Sequence, residues 1–119
     1  MMRPVDNNLT IYFCRTPIDF RKSMDGLAVY VQSVMELDPF AGQLFVFISR
    51  RRDKIKLLYH ERSGFVLWYK KLAADRFHWP RFSEQAVITL TTQQLNWLLD
   101  GYDINVMKPH AEKKYRYAA

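Results

Sequence analysis

The residues best equipped for intermolecular chemistry in this chain are cations, and they crowd into one stretch. Between Arg50 and Arg81 there are ten Lys or Arg residues and three acids, so this segment carries +7 while the whole 119-residue chain carries +6. Arg50, Arg51, Arg52, Lys54, Lys56, Arg62, Lys70, Lys71 and Arg76 are interleaved there with Trp and Tyr residues, and Arg21 with Lys22 forms a smaller basic pair upstream. Cations neutralise phosphates and aromatic rings stack on bases, which makes such a segment a reasonable nucleic-acid surface. Lys and Arg are equally what β turns and solvent faces carry, so charge alone leaves both readings open.

Groups suited to covalent or metal chemistry are sparse. Asp19, Arg21, Lys22 and Asp25 form a compact acid and base cluster, but helix capping and surface ion pairing account for the same residues. Asp53 beside Lys54 and Lys56 resembles a nuclease carboxylate and lysine pairing, yet a two-metal nuclease needs several convergent carboxylates. His60, His78 and His110 lack metal-ligand spacing, and one cysteine makes no zinc motif. Cys14 has no base or orienting group near it in sequence, which points to a packed thiol. With four glycines and neither a phosphate-binding glycine loop nor a GxSxG elbow, the expectation is a protein that is not an enzyme, with no cofactor, metal or small-molecule substrate.

The elements that position the cations are read from periodicity. Gly42 to Pro80 is expected to form an antiparallel meander of four strands. Leu44 to Ile48 is a wholly apolar run, the pattern of a strand covered on both faces. Arg50 to Asp53 is a charged turn. Lys54, Lys56 and His60 then alternate with Ile55, Leu57 and Tyr59, with Leu58 as the one mismatch. Glu61 to Gly64 turns the chain into Phe65 to Lys70, and Arg76 to Trp79 is the expected last strand, stopped by Pro80.

The flanks supply further elements. Leu9 to Cys14 and Ala86 to Leu90 are strand candidates. Asp19 is placed to cap a helical turn at Phe20 to Lys22, and Asp25 to favour the start of the following helix. Leu27, Tyr30, Val31, Val34 and Met35 form its expected buried stripe, with Asp38-Pro39 ending it. Thr91 and Gln94 match a capping box for a second helix whose stripe is Leu95, Leu98 and Leu99, stopped by Gly101. The expected fold is α+β, a single domain over residues 1–102 with an antiparallel meander sheet packed by two main helices. Residues 103–119 read as a basic, flexible C-terminal tail.

Length and composition agree with that class. At 119 residues, 49% hydrophobic and 15% aromatic, the chain can bury roughly two-thirds of its unfolded surface without staples. No apolar run approaches the ~20 residues that span a bilayer, and no signal sequence is recognisable, so a cytoplasmic location without membrane contact is expected. The single cysteine agrees with a reducing compartment.

The strings DFRKSMDGLAVYVQ, DPFAGQLFVFISRRRDKIKLLYHERSGFVLWYKKLAADRFHWP and ITLTTQQLNWLLDG, in that order, carry a further signal. From about Thr10 to Gly101 they resemble the second-open-reading-frame proteins of the insertion sequence 66 family, the accessory proteins called TnpB, which are unrelated to the RNA-guided nuclease of the same name. The specific parts are Asp38-Pro39-Phe40 with Gly42, Leu44 to Phe47, Arg51-Arg52-Asp53 with Ile55-Lys56, and Arg76-Phe77 with Trp79-Pro80. Ser23 and Met24 stand where the family usually has Gly and Phe, His60 where a Trp is common, and Tyr102-Asp103-Ile104 where a Trp often follows the second helix. The resemblance implies a bacterial transposition accessory factor, the DNA-cutting chemistry residing in a separate transposase. The expected partners are therefore that transposase, other proteins of the same mobile element, and DNA. The alternative is a protein–protein adaptor without direct DNA binding, making contacts through exposed Trp68, Trp79 or an edge strand.

Overall fold

In chain order, residues 9–107, the part described by the computed structural model, run β1 (Ile11–Cys14), α1 (Met24–Ser33), β2 (Leu44–Ile48), β3 (Lys54–Glu61), β4 (Gly64–Lys71), β5 (Val87–Leu90) and α2 (Thr92–Leu99). The strands form one sheet in the order β4-β3-β2-β1-β5. Three pairings are antiparallel, whereas β1 and β2 run parallel, Ile11 opposite Leu44, and are joined through α1. A parallel pair cannot be closed by a tight turn, and α1 supplies the crossover.

All five side chains of β2 are buried, as a wholly apolar strand requires. Leu44, Val46 and Ile48 face one core with Ile11, Phe13, Ile55, Leu57 and the α2 residues Leu95, Leu98 and Leu99. Phe45 and Phe47 face the other, with Leu27, Ala28 and Val31 of α1 and with Leu58. Leu58, the mismatch in the alternation of β3, is therefore the residue through which the α1-side core reaches that strand. Lys56 lies two residues away on the same face, beyond the edge of that core.

The start of α2 and the acidic first turn of α1 follow expectation, while the N-cap of α1 is Ser23, whose capping role was not singled out in the sequence. Ser23 accepts from the Gly26 N–H (3.1 Å) with Asp25 in the first turn, and the Thr91–Gln94 capping box is reciprocal. Gly101, at φ 90°, takes the left-handed conformation that ends α2. The end of α1 differs from expectation. Glu36 adopts φ 58°, and the Met35 and Leu37 amides bond back to the Tyr30 and Val31 carbonyls, so the helix stops at Ser33, before Asp38-Pro39. Met35 stays buried, but Val34 turns outward and is 59% exposed, so it does not belong to the stripe.

Two other expectations are corrected. Arg76 to Trp79 is not a strand: it crosses the α2 side as irregular chain, anchored by buried Phe77, whose N–H donates to the Arg52 carbonyl. Phe20 to Lys22 is the expected single turn, with the Asp19 side chain accepting from the Arg21 N–H and its carbonyl from the Lys22 N–H. Packing also continues beyond residue 102, because Ile104 is 1% exposed and Asn105 donates to the Trp79 carbonyl. The remaining tail from residue 108, with His110, and the lead-in at residues 1–8 lie outside the described residues.

The two ends of the α1 stripe separate sharply under mutation. Val31→Asp places an unpaired charge at a fully buried site and is expected to cost about 4 kcal/mol or more, a large part of a domain's ~5–15 kcal/mol. Val34→Asp should stay within about 0.5 kcal/mol of the parent. Urea unfolding of both variants checks this, and equal losses would contradict the orientation of α1.

Candidate nucleic-acid interface

β2 leaves the core at Ser49, and two segments meet there. The Ile18 N–H donates to the Ile48 carbonyl (3.1 Å) and Ile18 bridges to Ser49, which carries the Asp19–Lys22 turn to the side of the Arg50–Lys54 turn. The second turn is fixed from within: Ser49 Oγ donates to Asp53 Oδ1 and accepts from the Lys54 N–H, both at 3.1 Å. Between the turns lies a groove of about 750 Å³, lined by Arg21, Arg50, Arg51, Lys54 and Lys56, by the carboxylates Asp19 and Asp53, and by Phe20, Leu67 and Tyr69.

The two carboxylates are internally matched. Asp19 receives a forked ion pair from Arg21, the shortest contact 2.6 Å, and this holds its carboxyl far below the usual range. This pairing is also what the Asp19–Arg21 end of the acid and base cluster does. At Asp53, partial burial raises the carboxyl, but the Ser49 hydroxyl and the nearby Lys54 and Lys71 charges outweigh it and leave it lowered. Arg50, Arg51 and Lys54 form the groove's other wall, and Arg50 and Arg51 are exposed.

Lys56 is held on the groove floor. Its Nζ donates to the Phe20 carbonyl (3.0 Å) and the Lys22 carbonyl (3.3 Å) and lies 4.8 Å from the Phe20 ring centroid and 5.8 Å from that of Tyr69. Burial, with Lys54 beside it, lowers its pKa. Lys56 and Tyr69 are direct cross-strand partners, and Tyr69 remains 48% exposed. Phe20 and Tyr69 were not singled out in the sequence. The signal was an aromatic between Asp19 and Arg21, and a ring at the strand position facing Lys56.

The other sequence-nominated cations disperse. Lys22 flanks the groove and Lys71 pairs in register with Lys54, both exposed. Arg52, at φ 62°, points to the opposite side of the sheet, where its guanidinium sits 4.5 Å from the Trp79 ring centroid. Arg76 lines a second hollow on that side, together with Arg52 and Trp79, and donates to the Arg51 carbonyl (2.8 Å). Lys70 reaches the Leu99 carbonyl at the end of α2 (2.8 Å). Arg62 is at the far tip of the β3–β4 hairpin, roughly 20 Å along the strands. Trp68 and Trp79 are half-buried against the α2-side core rather than exposed.

Cys14 is buried, its Sγ 3.4 Å from the Thr16 carbonyl and 3.9 Å from the Tyr30 hydroxyl, and burial pushes its thiol up. Among the described residues no His, Cys, Asp or Glu cluster could hold a metal, and no helix is long and apolar enough to cross a membrane.

Comparison with known proteins follows the same boundaries. A family model described as IS66 Orf2 like protein matches residues 9–109. The chain is 34% identical over 102 residues to the uncharacterized protein y4hO of Sinorhizobium fredii, covering 86% of this chain and 88% of that protein. It is 31% identical over 106 residues to the uncharacterized protein y4jC of the same organism, covering 89% and 90%. No solved structure matches.

Lys70 and Lys71 are adjacent in sequence but differ in task. Lys70→Ala removes the cation on the last carbonyls of α2 and is expected to cost about 1 kcal/mol, a fall of about 4 °C in Tm. Lys71→Ala should leave Tm within about 2 °C, because its ammonium is exposed. Thermal unfolding of the two variants checks the assignment; a loss confined to Lys71→Ala would contradict it.

Proposed function

The chain belongs to the IS66 Orf2-like family, accessory proteins of insertion-sequence transposition, and from that premise we propose that it serves transposition by binding DNA through the groove beside the β2–β3 turn. One observation carries this reading: five cations and two aromatic rings line a single concave surface, and its two carboxylates are already matched by Arg21, Ser49, Lys54 and Lys71. Arg50 and Arg51 are exposed to approach phosphates, with Lys22 at the margin and Lys54 and Lys71 shared with Asp53, whereas Arg21 and Lys56 chiefly build the surface. The transposase and other proteins of the mobile element are the proposed protein partners. A DNA-bound accessory factor would present them with an assembled end.

A second reading, the adaptor without DNA contact, draws on the opposite end of the sheet. Phe40, His60 and Phe65 form an aromatic cluster there with centroids 5.0–5.2 Å apart, Phe40 is 60% exposed, and β4 is an edge strand. Such a surface suits protein contact.

Salt dependence separates the readings. With about four phosphates engaged, duplex affinity should fall with log salt at a slope of about −3.6, roughly 150-fold between ~50 and ~200 mM. Arg50→Glu with Arg51→Glu should lower affinity and flatten the slope, leaving Tm nearly unchanged, while Arg62→Glu should have little effect on either. An Arg50/Arg51 double variant that binds as tightly as the parent with the same slope would remove the groove from DNA binding and favour the adaptor.

A further inference from the structure

We propose that the groove is built for an unpaired nucleotide strand, with Tyr69 as the platform on which one base stacks while Arg50, Arg51 and Lys54 hold its phosphates. This deepens the proposed function and rests on the groove being the nucleic-acid surface. Tyr69 projects from β4 into the groove, half-exposed, with the Phe20 ring at 6.4 Å and an interplanar angle of 55°. The two rings do not stack on each other, so the Tyr69 face is not consumed by Phe20. Lys56 Nζ, oriented by two carbonyls, lies over both rings and faces one side of Tyr69, whose 48% exposure leaves the rest of the ring open to a ligand.

The rim and the floor therefore ask for different things. Arg50 and Arg51 are exposed on the rim and fit any phosphate backbone. A ring on the floor fits only a base whose face is uncovered. In a duplex each base face is covered by its neighbours, so a duplex laid on the rim offers phosphates to the arginines and no base face to Tyr69. An unpaired strand satisfies both at once, and it does so without base-edge hydrogen bonds, so weak sequence preference is expected. Transposition exposes unpaired strands when element ends are opened, a substrate consistent with this design.

Fluorescence anisotropy with a labelled oligothymidylate and with a duplex of mixed sequence and equal length tests the assignment on the full chain. The parent should favour the single strand. Tyr69→Leu, which keeps an apolar residue in β4 but removes the ring, should weaken single-strand binding about tenfold and duplex binding less than twofold, and Tyr69→Phe should restore the parent value. Equal weakening of both ligands, or no change in the single strand, would overturn the platform. The Arg50→Glu and Arg51→Glu double variant distinguishes the levels of failure. If it loses both ligands while Tyr69→Leu loses neither, the basic groove stands and the unpaired-strand assignment falls. If it loses neither, both fall together.

Discussion

Everything in this fold follows from β2 being buried on both faces. A strand with five apolar side chains needs a covering layer above and below the sheet, and it needs a strand on each side to satisfy its backbone. β1 and β3 provide the neighbours. α1 provides one cover, and α2 with the irregular chain around Phe77 and Ile104 provides the other. Because β1 pairs parallel to β2, the chain leaving β1 and the chain leaving β2 emerge on the same side of the sheet, and the Ile18–Ser49 bridge ties them together. The groove is the consequence: it lies where two strand ends, fixed by the core, release their polar turns.

The charge of the molecule gives a poor map of that surface until the side chains are followed. The three consecutive arginines of the β2–β3 turn divide, Arg50 and Arg51 into the groove and Arg52 across the sheet onto Trp79. Lys56 and Lys70 serve as hydrogen-bond donors to backbone carbonyls, one building the groove floor and one holding the end of α2. Such lysines add to net charge, and their ammonium groups are already engaged. The number of cations available to a polyanion is therefore smaller than the +7 of the segment suggests, and they are grouped at one end of the sheet.

Local signals in the sequence were sufficient wherever the physics is local. The apolar run of β2, the two hairpin arms β3 and β4, the capping box at Thr91 and the glycine stop at Gly101 depend on residues within a few positions of one another, and each is present. Non-local features were not legible. Nothing near Ile11 announces a parallel partner thirty-three residues away at Leu44, and the exposure of Val34 depends on Glu36 leaving the helix in a conformation uncommon for its residue type. Arg76 to Trp79 has the composition of a strand, yet it leaves the free edge of β4 unpaired, and Phe77 is used instead as an anchor in the α2-side core. For the site, the cations were visible as types. Which of them converge, and that Phe20 and Tyr69 stand among them, depended on the Ile18–Ser49 bridge and on the β3–β4 register.

The most direct test of the account is a hydrogen-exchange footprint of the protein with and without a saturating single-stranded oligonucleotide. Slowed exchange should appear in the Asp19–Lys22 turn, the Arg50–Lys54 turn and β4 around Tyr69, with the hairpin tip at Arg62 and the α2 end near Lys70 unchanged. Protection centred instead on the Phe40, His60 and Phe65 cluster or on the Arg76–Trp79 segment, with the two turns unaffected, would contradict it.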